Sequence, residues 1–289
     1  MWSSGSRSAK LITMMTMKPI RNFYPRNIEL KYTKFLRSLY KIWLNGLLQD
    51  LKVQLPLINL EAHRYDSNLE FLDRYGSKLP ETDQIIRLDV NHAEKIRLIV
   101  NKHKGVFDTA FMRIVSQHAS DVFYQTDGWT SKQQDRVEKH LGVDLKKSTL
   151  WKEGKAQAFI HQNTALIKKL SDEVAGRVET TLFASIQKGK TTRDITKDLM
   201  EAGNFTKSRA TLIARDQVSK LNSELTRTRQ QQAGIDSYIW STAEDERTCD
   251  KCAPRDGKSY SWDDEPRPGE IHPQCRCTAE ADIDKMFDL

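Results

Sequence analysis

All four cysteines of this 289-residue chain lie between Cys249 and Cys277, so 248 residues precede the first thiol and no disulfide framework can staple the bulk of the fold. That bulk must hold together by packing of apolar side chains. Hydrophobic residues make up 38% of the chain and charged residues 29%, with a mean hydropathy of −0.64, which suits a soluble, helix-rich protein without a membrane span. Gly (13) and Pro (8) are too scarce for a collagen-like, low-complexity or loop-dominated all-β chain.

The cysteines form a pattern. Cys249-Asp250-Lys251-Cys252 is followed, twenty residues after Cys252, by His272-Pro273-Gln274-Cys275-Arg276-Cys277. Two thiolates two residues apart can grip one tetrahedral ion from a tight turn, and a His/Cys group returning from a distant turn can close the shell. Five donors compete for four places: Cys249, Cys252, His272 and Cys275 are the first choice, with Cys277 the substitute. One structural zinc ion is the expected cofactor. Free or paired thiols and a catalytic metal remain as alternatives, the last requiring an open coordination position and a nearby base.

Upstream, the apolar period is helical. Ile28, Tyr32, Phe35, Leu36, Leu39, Trp43, Leu47 and Leu51 recur at three- and four-residue steps, opposite Lys31, Lys34, Arg37 and Lys41. A helix packed on its own domain is preferred over one lying on a membrane surface. Breaks are expected at Pro56 and around Gly76 and Pro80. A second run spans 83–125 to a stop near Gly128, with a kink or break at Gly105, and a short helix follows at 131–141, closed by Gly142. A further helix runs from 150 to 187 and stops at Gly189. Thr191 or Thr192 caps the next as far as Gly203, and Thr206 caps the last, which ends at a left-handed Gly234.

Beyond Gly234 the period changes to two. Residues 235–242 and 258–262 read as strands on either side of an Asp256-Gly257 turn, with a third strand after Cys275. The expected fold is mainly α, a helical body followed by short antiparallel strands in a small C-terminal α+β module resembling a zinc knuckle. Its blocks are a basic helical segment at 1–60, a helical body at 61–149, a further helical part at 150–234, and the Cys/His module at 235–289. So small a core, with Tyr238, Trp240, Tyr260 and Trp262 among its few apolar residues, needs a staple.

Charge divides the same way. Residues 241–289 carry 7 basic and 13 acidic side chains, whereas 1–240 carry 39 and 26. A basic body suits a polyanion or an acidic protein surface, and an acidic module does not. The first 28 residues contain no acid. Their apolar stretch at 11–17 is too interrupted and short for a secretory core, and a transit peptide is not adopted. Gly189-Lys190-Thr191 lacks the glycine of a P-loop, since position 184 is Ala184. The histidines outside the module have no metal-ligand spacing.

One resemblance draws these pieces together. Ala214-Arg215-Asp216-Gln217, Asn222, Gly234, Tyr238, Trp240, Asp245 through Cys252, Asp256-Gly257 and the His272 to Cys277 run closely resemble the phage Mu F-like minor head proteins, or head morphogenesis proteins, over residues 150–284. The family more often has Thr-Glu where this chain has Asp216-Gln217. The resemblance implies a structural virion protein, located in the head interior at the portal vertex and in the host cytoplasm during assembly. It implies no catalytic residues, and as partners the portal protein, other head proteins and packaged double-stranded DNA contacted without sequence preference. Two alternatives stand beside it. A metal-dependent nuclease would need further His, Asn or Asp ligands near the knuckle, and a zinc-containing DNA-binding regulator would need a module of the opposite charge.

Overall fold

The computed structural model describes residues 20–75, 82–142, 144–145, 148–188, 190, 192–246 and 248–286. The apolar stretch at 11–17, the break around Gly76 and Pro80, the stop at Gly189 and the cap at Thr191 lie outside them. The described residues are mainly helical. Five long helices, α1 (Arg26–Tyr75), α2 (Thr82–Val106), α3 (Met112–Leu141), α4 (Lys152–Gln187) and α5 (Thr192–Gln232), precede three short strands, β1 (Ser237–Ser241), β2 (Ser259–Ser261) and β3 (Thr278–Ala281), and a final turn of helix, α6 (Ile283–Met286). The sheet is antiparallel in the order β2-β1-β3. None of the described helices is long and apolar enough to cross a membrane.

Several expected breaks are absent. α1 runs through Pro56, the α2–α3 run passes Gly105 and Gly128, and neither Gly203 nor Thr206 divides α5. An interior Gly costs about 1 kcal/mol relative to Ala, which the burial of one continuous apolar face outweighs. At Gly203 the missing side chain serves packing: a Cβ there would sit 3.3 Å from Leu44 Cδ2. The departure near Gly105 is a π-helical turn, Phe107–Phe111, closed by the Met112 N–H donating to the Phe107 carbonyl. Register explains it. Ile96, Val100, Phe107 and Val115 are all buried, and the step from Phe107 to Val115 is eight residues where two α-turns span about seven. The wide turn absorbs the extra residue.

Contacts group the chain into two compact units interleaved along the sequence, one drawn from the described parts of 35–115 and 164–210, the other from those of 1–34, 116–163 and 211–289. The first is helical. Phe107 stacks on Tyr40 with ring centroids 5.4 Å apart and meets Trp43 edge-on at the same separation. Both polar tips are satisfied, Tyr40 Oη donating to the Ile167 carbonyl at 2.5 Å and Trp43 Nε1 to that of His103 at 2.9 Å.

The second unit carries the sheet. α5 ends in a Schellman motif, with Ile235 N–H on the Gln230 carbonyl at 2.9 Å, Gly234 N–H on that of Gln231 at 3.0 Å, and Gly234 at φ +81°. This turn aims β1 so that Tyr238 and Trp240 point inward, both fully buried. β3 is an edge strand, and the chain's beginning covers it: Asn22 Nδ2 donates to the Ala279 carbonyl at 2.6 Å, and Thr278 Oγ1 to that of Asn22 at 3.1 Å. Ile20 packs beside Val137, Leu141, Ile235 and Ala281.

Replacing Asn22 with Ala leaves the buried Ala279 carbonyl without its side-chain donor. The expected loss is about 1–3 kcal/mol in chemical denaturation, with faster amide exchange in β3. An unchanged midpoint would show that this contact does not hold the edge.

Candidate metal centre

Two loops carry the donors, and the backbone fixes each. After β1, the Cys252 and Ala253 N–H groups both donate to the Cys249 carbonyl at 2.9 Å, which folds Cys249 through Cys252 into a tight knuckle. A 3₁₀ turn (Ala253–Arg255) leads to Gly257 at φ +70°, whose N–H bonds the Trp240 carbonyl at 2.8 Å, so the Asp256-Gly257 turn returns the chain into β2 as expected. Asp256 Oδ1 accepts the Thr242 N–H at 2.7 Å and pins the knuckle's root.

The second loop is seated on α5. Ser219 Oγ donates to the Cys275 carbonyl at 2.8 Å, and Gly269, at φ +88°, lies so near that a Cβ would fall 2.8 Å from the same Oγ and 3.0 Å from the Ser219 carbonyl oxygen. Only glycine fits both that backbone and that approach. Arg276 reaches across to Asp245 at 2.6 Å, tying this loop to the segment before the knuckle. Arg215 links Gln274 (3.2 Å) to the buried Glu29 at the start of α1 (3.1 Å). Sequence reasoning missed Ser219 and Gly269, although Pro268-Gly269 is a turn signal.

The five candidate ligands from the sequence come together as two overlapping triads that share Cys252. One is Cys249, Cys252 and His272, the other Cys252, Cys275 and Cys277, with the ligand atoms of each within 4.8 Å of one another. Cys249 Sγ lies 3.2 Å and Cys252 Sγ 3.8 Å from His272 Nε2, and the Cys252 and Cys275 sulfurs are 3.9 Å apart. A tetrahedral zinc with ordinary bond lengths would place neighbouring S and N ligands about 3.5–3.8 Å apart, so the donor set and spacing fit a metal ion.

The thiols themselves favour a cation. The Cys277 thiol, as hydrogen-bond donor, holds Cys275 down to about 6, while burial pushes Cys252 up to about 12. Cys277 is raised, first by the bond it gives to Cys275 and then by burial. One thiolate thus forms at its neighbours' expense, and only a nearby positive ion lets several ionise together. His272 Nδ1 accepts the Gln274 N–H at 3.2 Å, so in the neutral ring Nε2 bears the proton and faces Cys249.

The cluster lies in the module's core, where Cys252, Cys275 and Cys277 pack with Tyr238, Trp240, Trp262 and Ala279. Among the described residues no histidine outside the module joins a metal-ligand group. The acidic run after Trp262 holds the local turn: Asp264 accepts the Ser261 N–H at 3.0 Å, and Glu265 pairs with Arg267 at 3.2 Å.

Residues 176–280, which contain all five donors, match the family model described as Phage Mu protein F like protein. An uncharacterized protein of Haemophilus influenzae is 33% identical over 127 residues, covering 43% of this chain and 28% of that protein's length. No solved structure matches the chain.

Protein purified under reducing conditions is expected to carry a single zinc by metal analysis, and Cys252→Ser to lose it. A metal-free preparation with an ordered module and four reactive thiols would refute the metal assignment. Gly269→Ala, which strains a positive-φ site and crowds Ser219, is expected to cost about 1–3 kcal/mol and to speed zinc release to a chelator, followed with a colorimetric indicator.

Proposed function

From the match of residues 176–280 to the Phage Mu protein F like family model, we propose that this chain is a structural head protein of a tailed phage or prophage, acting in head morphogenesis at the portal vertex. The observation that carries the reading is the coincidence of the matched stretch with one structural feature: it takes in the end of α4, all of α5, β1, β2, all but the last residue of β3 and both donor loops. Its partners are the portal protein and other head proteins, with packaged DNA touched non-specifically through the basic body. It resides in the virion after assembly in the host cytoplasm.

The module works as a tether rather than as an enzyme. Cys249, Cys252, His272 and Cys275 would hold one structural zinc, with Cys277, buried in the module's core, as the spare thiol. This assignment is supported by three interatomic spacings, which trace Cys249 to His272 to Cys252 to Cys275. A closed shell of four protein ligands leaves no position for a reacting water. The strands and donor loops form the part that seats on α5, and the helices before them present the surfaces that assembly uses.

Deleting the gene from its phage is expected to give defective or poorly infectious heads, with the tagged chain recovered on portal-containing particles and counted by quantitative mass spectrometry. Normal heads and titre would overturn the reading. So would nuclease activity in the purified protein, abolished by one substitution that leaves folding and zinc content intact.

A further inference from the structure

The donor loop before β3 is closed from within but oriented from outside. The Cys275 N–H donates to the His272 carbonyl at 3.0 Å, a tight turn that sets the separation of these two donors and leaves Gln274 exposed at its corner. A local turn cannot determine how it faces the knuckle of Cys249 and Cys252; contacts to other elements do. α5 supplies two of them from one face, because Arg215 and Ser219 are four residues apart, about 6 Å along the helix axis. Ser219 Oγ holds the Cys275 carbonyl at 2.8 Å, and Arg215 Nη1 donates to Gln274 Oε1 at 3.2 Å. One such bond lets the loop pivot, and a second, one helical turn away, stops the rotation. Arg215 is itself held: its Nε donates to Oε1 of Glu29 at 3.1 Å, and that carboxylate is only 1% exposed and is shared with Arg26.

We infer that Arg215 is a positioning residue of the metal centre: by joining Gln274 to the buried Glu29 it holds the His272–Cys275 turn at the angle from which its donors meet Cys249 and Cys252. The guanidinium suits this task because its Nε and Nη1 are separate donors on one rigid plane, the first aimed at the carboxylate and the second at the amide. Glu29 needs a cation in any case, and a lysine could supply the charge. The second bond, to the loop, is what only the planar fork provides. Hydrogen bonds of this outer kind orient metal-ligating groups, and losing one typically weakens metal binding about 10–100-fold. The inference rests on the zinc reading of the donor cluster and adds to it a residue on α5, thirty-four positions before the first thiol.

The test is a double-mutant cycle on the full-length chain with zinc alone as the probe, its affinity read by competition with a chromophoric chelator. Arg215→Lys keeps a cation beside Glu29 but not the second bond, and Gln274→Ala removes an exposed side chain while leaving the backbone N–H in place. Each is expected to weaken zinc binding about tenfold, and the double variant no more than either alone, because both cut the same link. Cobalt(II) in place of zinc gives a second readout. At full occupancy the visible spectrum of each variant should differ from that of the unmodified chain, since the donors meet the ion at altered angles, and a loss of fold stability alone does not produce that change. Unchanged zinc affinity in Gln274→Ala, additive losses in the double variant, or cobalt spectra identical to that of the unmodified chain would overturn the inference. Should Arg215→Lys fail to fold, Gln274→Ala decides by itself. If the unmodified chain takes up no zinc, the metal reading and this inference fall together; if it binds zinc and the variants bind it equally well, only the positioning role of Arg215 fails.

Discussion

The C-terminal module depends on sulfur atoms that are at once its core and its candidate ligands. Cys252, Cys275 and Cys277 are buried against Tyr238, Trp240 and Trp262, in a sheet whose strands have only three to five residues. So little apolar surface contributes little stability, and clustered thiols in a low-dielectric core resist joint ionisation. A cation resolves both problems together. It would convert competing thiols into ligands and link the knuckle after β1 to the loop before β3.

The module is also bound to helices and to the start of the chain. Ser219 and Gly269 seat its second loop on α5, Gln230 accepts the Trp262 indole N–H at 3.0 Å, and Asn22 covers β3. Beneath the loop, Glu29 is almost wholly buried and shared by Arg26 and Arg215. Removing one partner of such a buried pair costs about 3–5 kcal/mol, since the other charge is left without compensation. Asp127 does similar work between Arg229 and Lys152. These polar contacts are directional, so they define how each loop sits, which apolar packing alone would leave loose.

The polar groups beside the donor loops are themselves engaged. Asp264 and Glu265 are engaged in a turn, and the histidine nearest the thiols is a candidate ligand.

Much of this was legible in the sequence. The 3.6-residue period gave way to a period of two after Gly234, and the helix indeed ends there, because a glycine with positive φ is what a Schellman turn needs. The spacing of Cys249, Cys252, His272, Cys275 and Cys277 marked the donors, because local loop geometry determines how thiols two residues apart can point. What the sequence could not decide was every feature that rests on a distant neighbour. Gly128 and Gly203 read as breaks but lie inside helices, since a local penalty of about 1 kcal/mol yields to a long packed face, and Pro56 too lies inside α1. The π turn at Phe107, the Asn22 cover on β3, and the Ser219–Gly269 seat each join residues to partners or registers that only the assembled core supplies. Local propensity acts through neighbours in the chain, while burial and hydrogen bonding act through neighbours in space, and these exist only once the tertiary structure has formed.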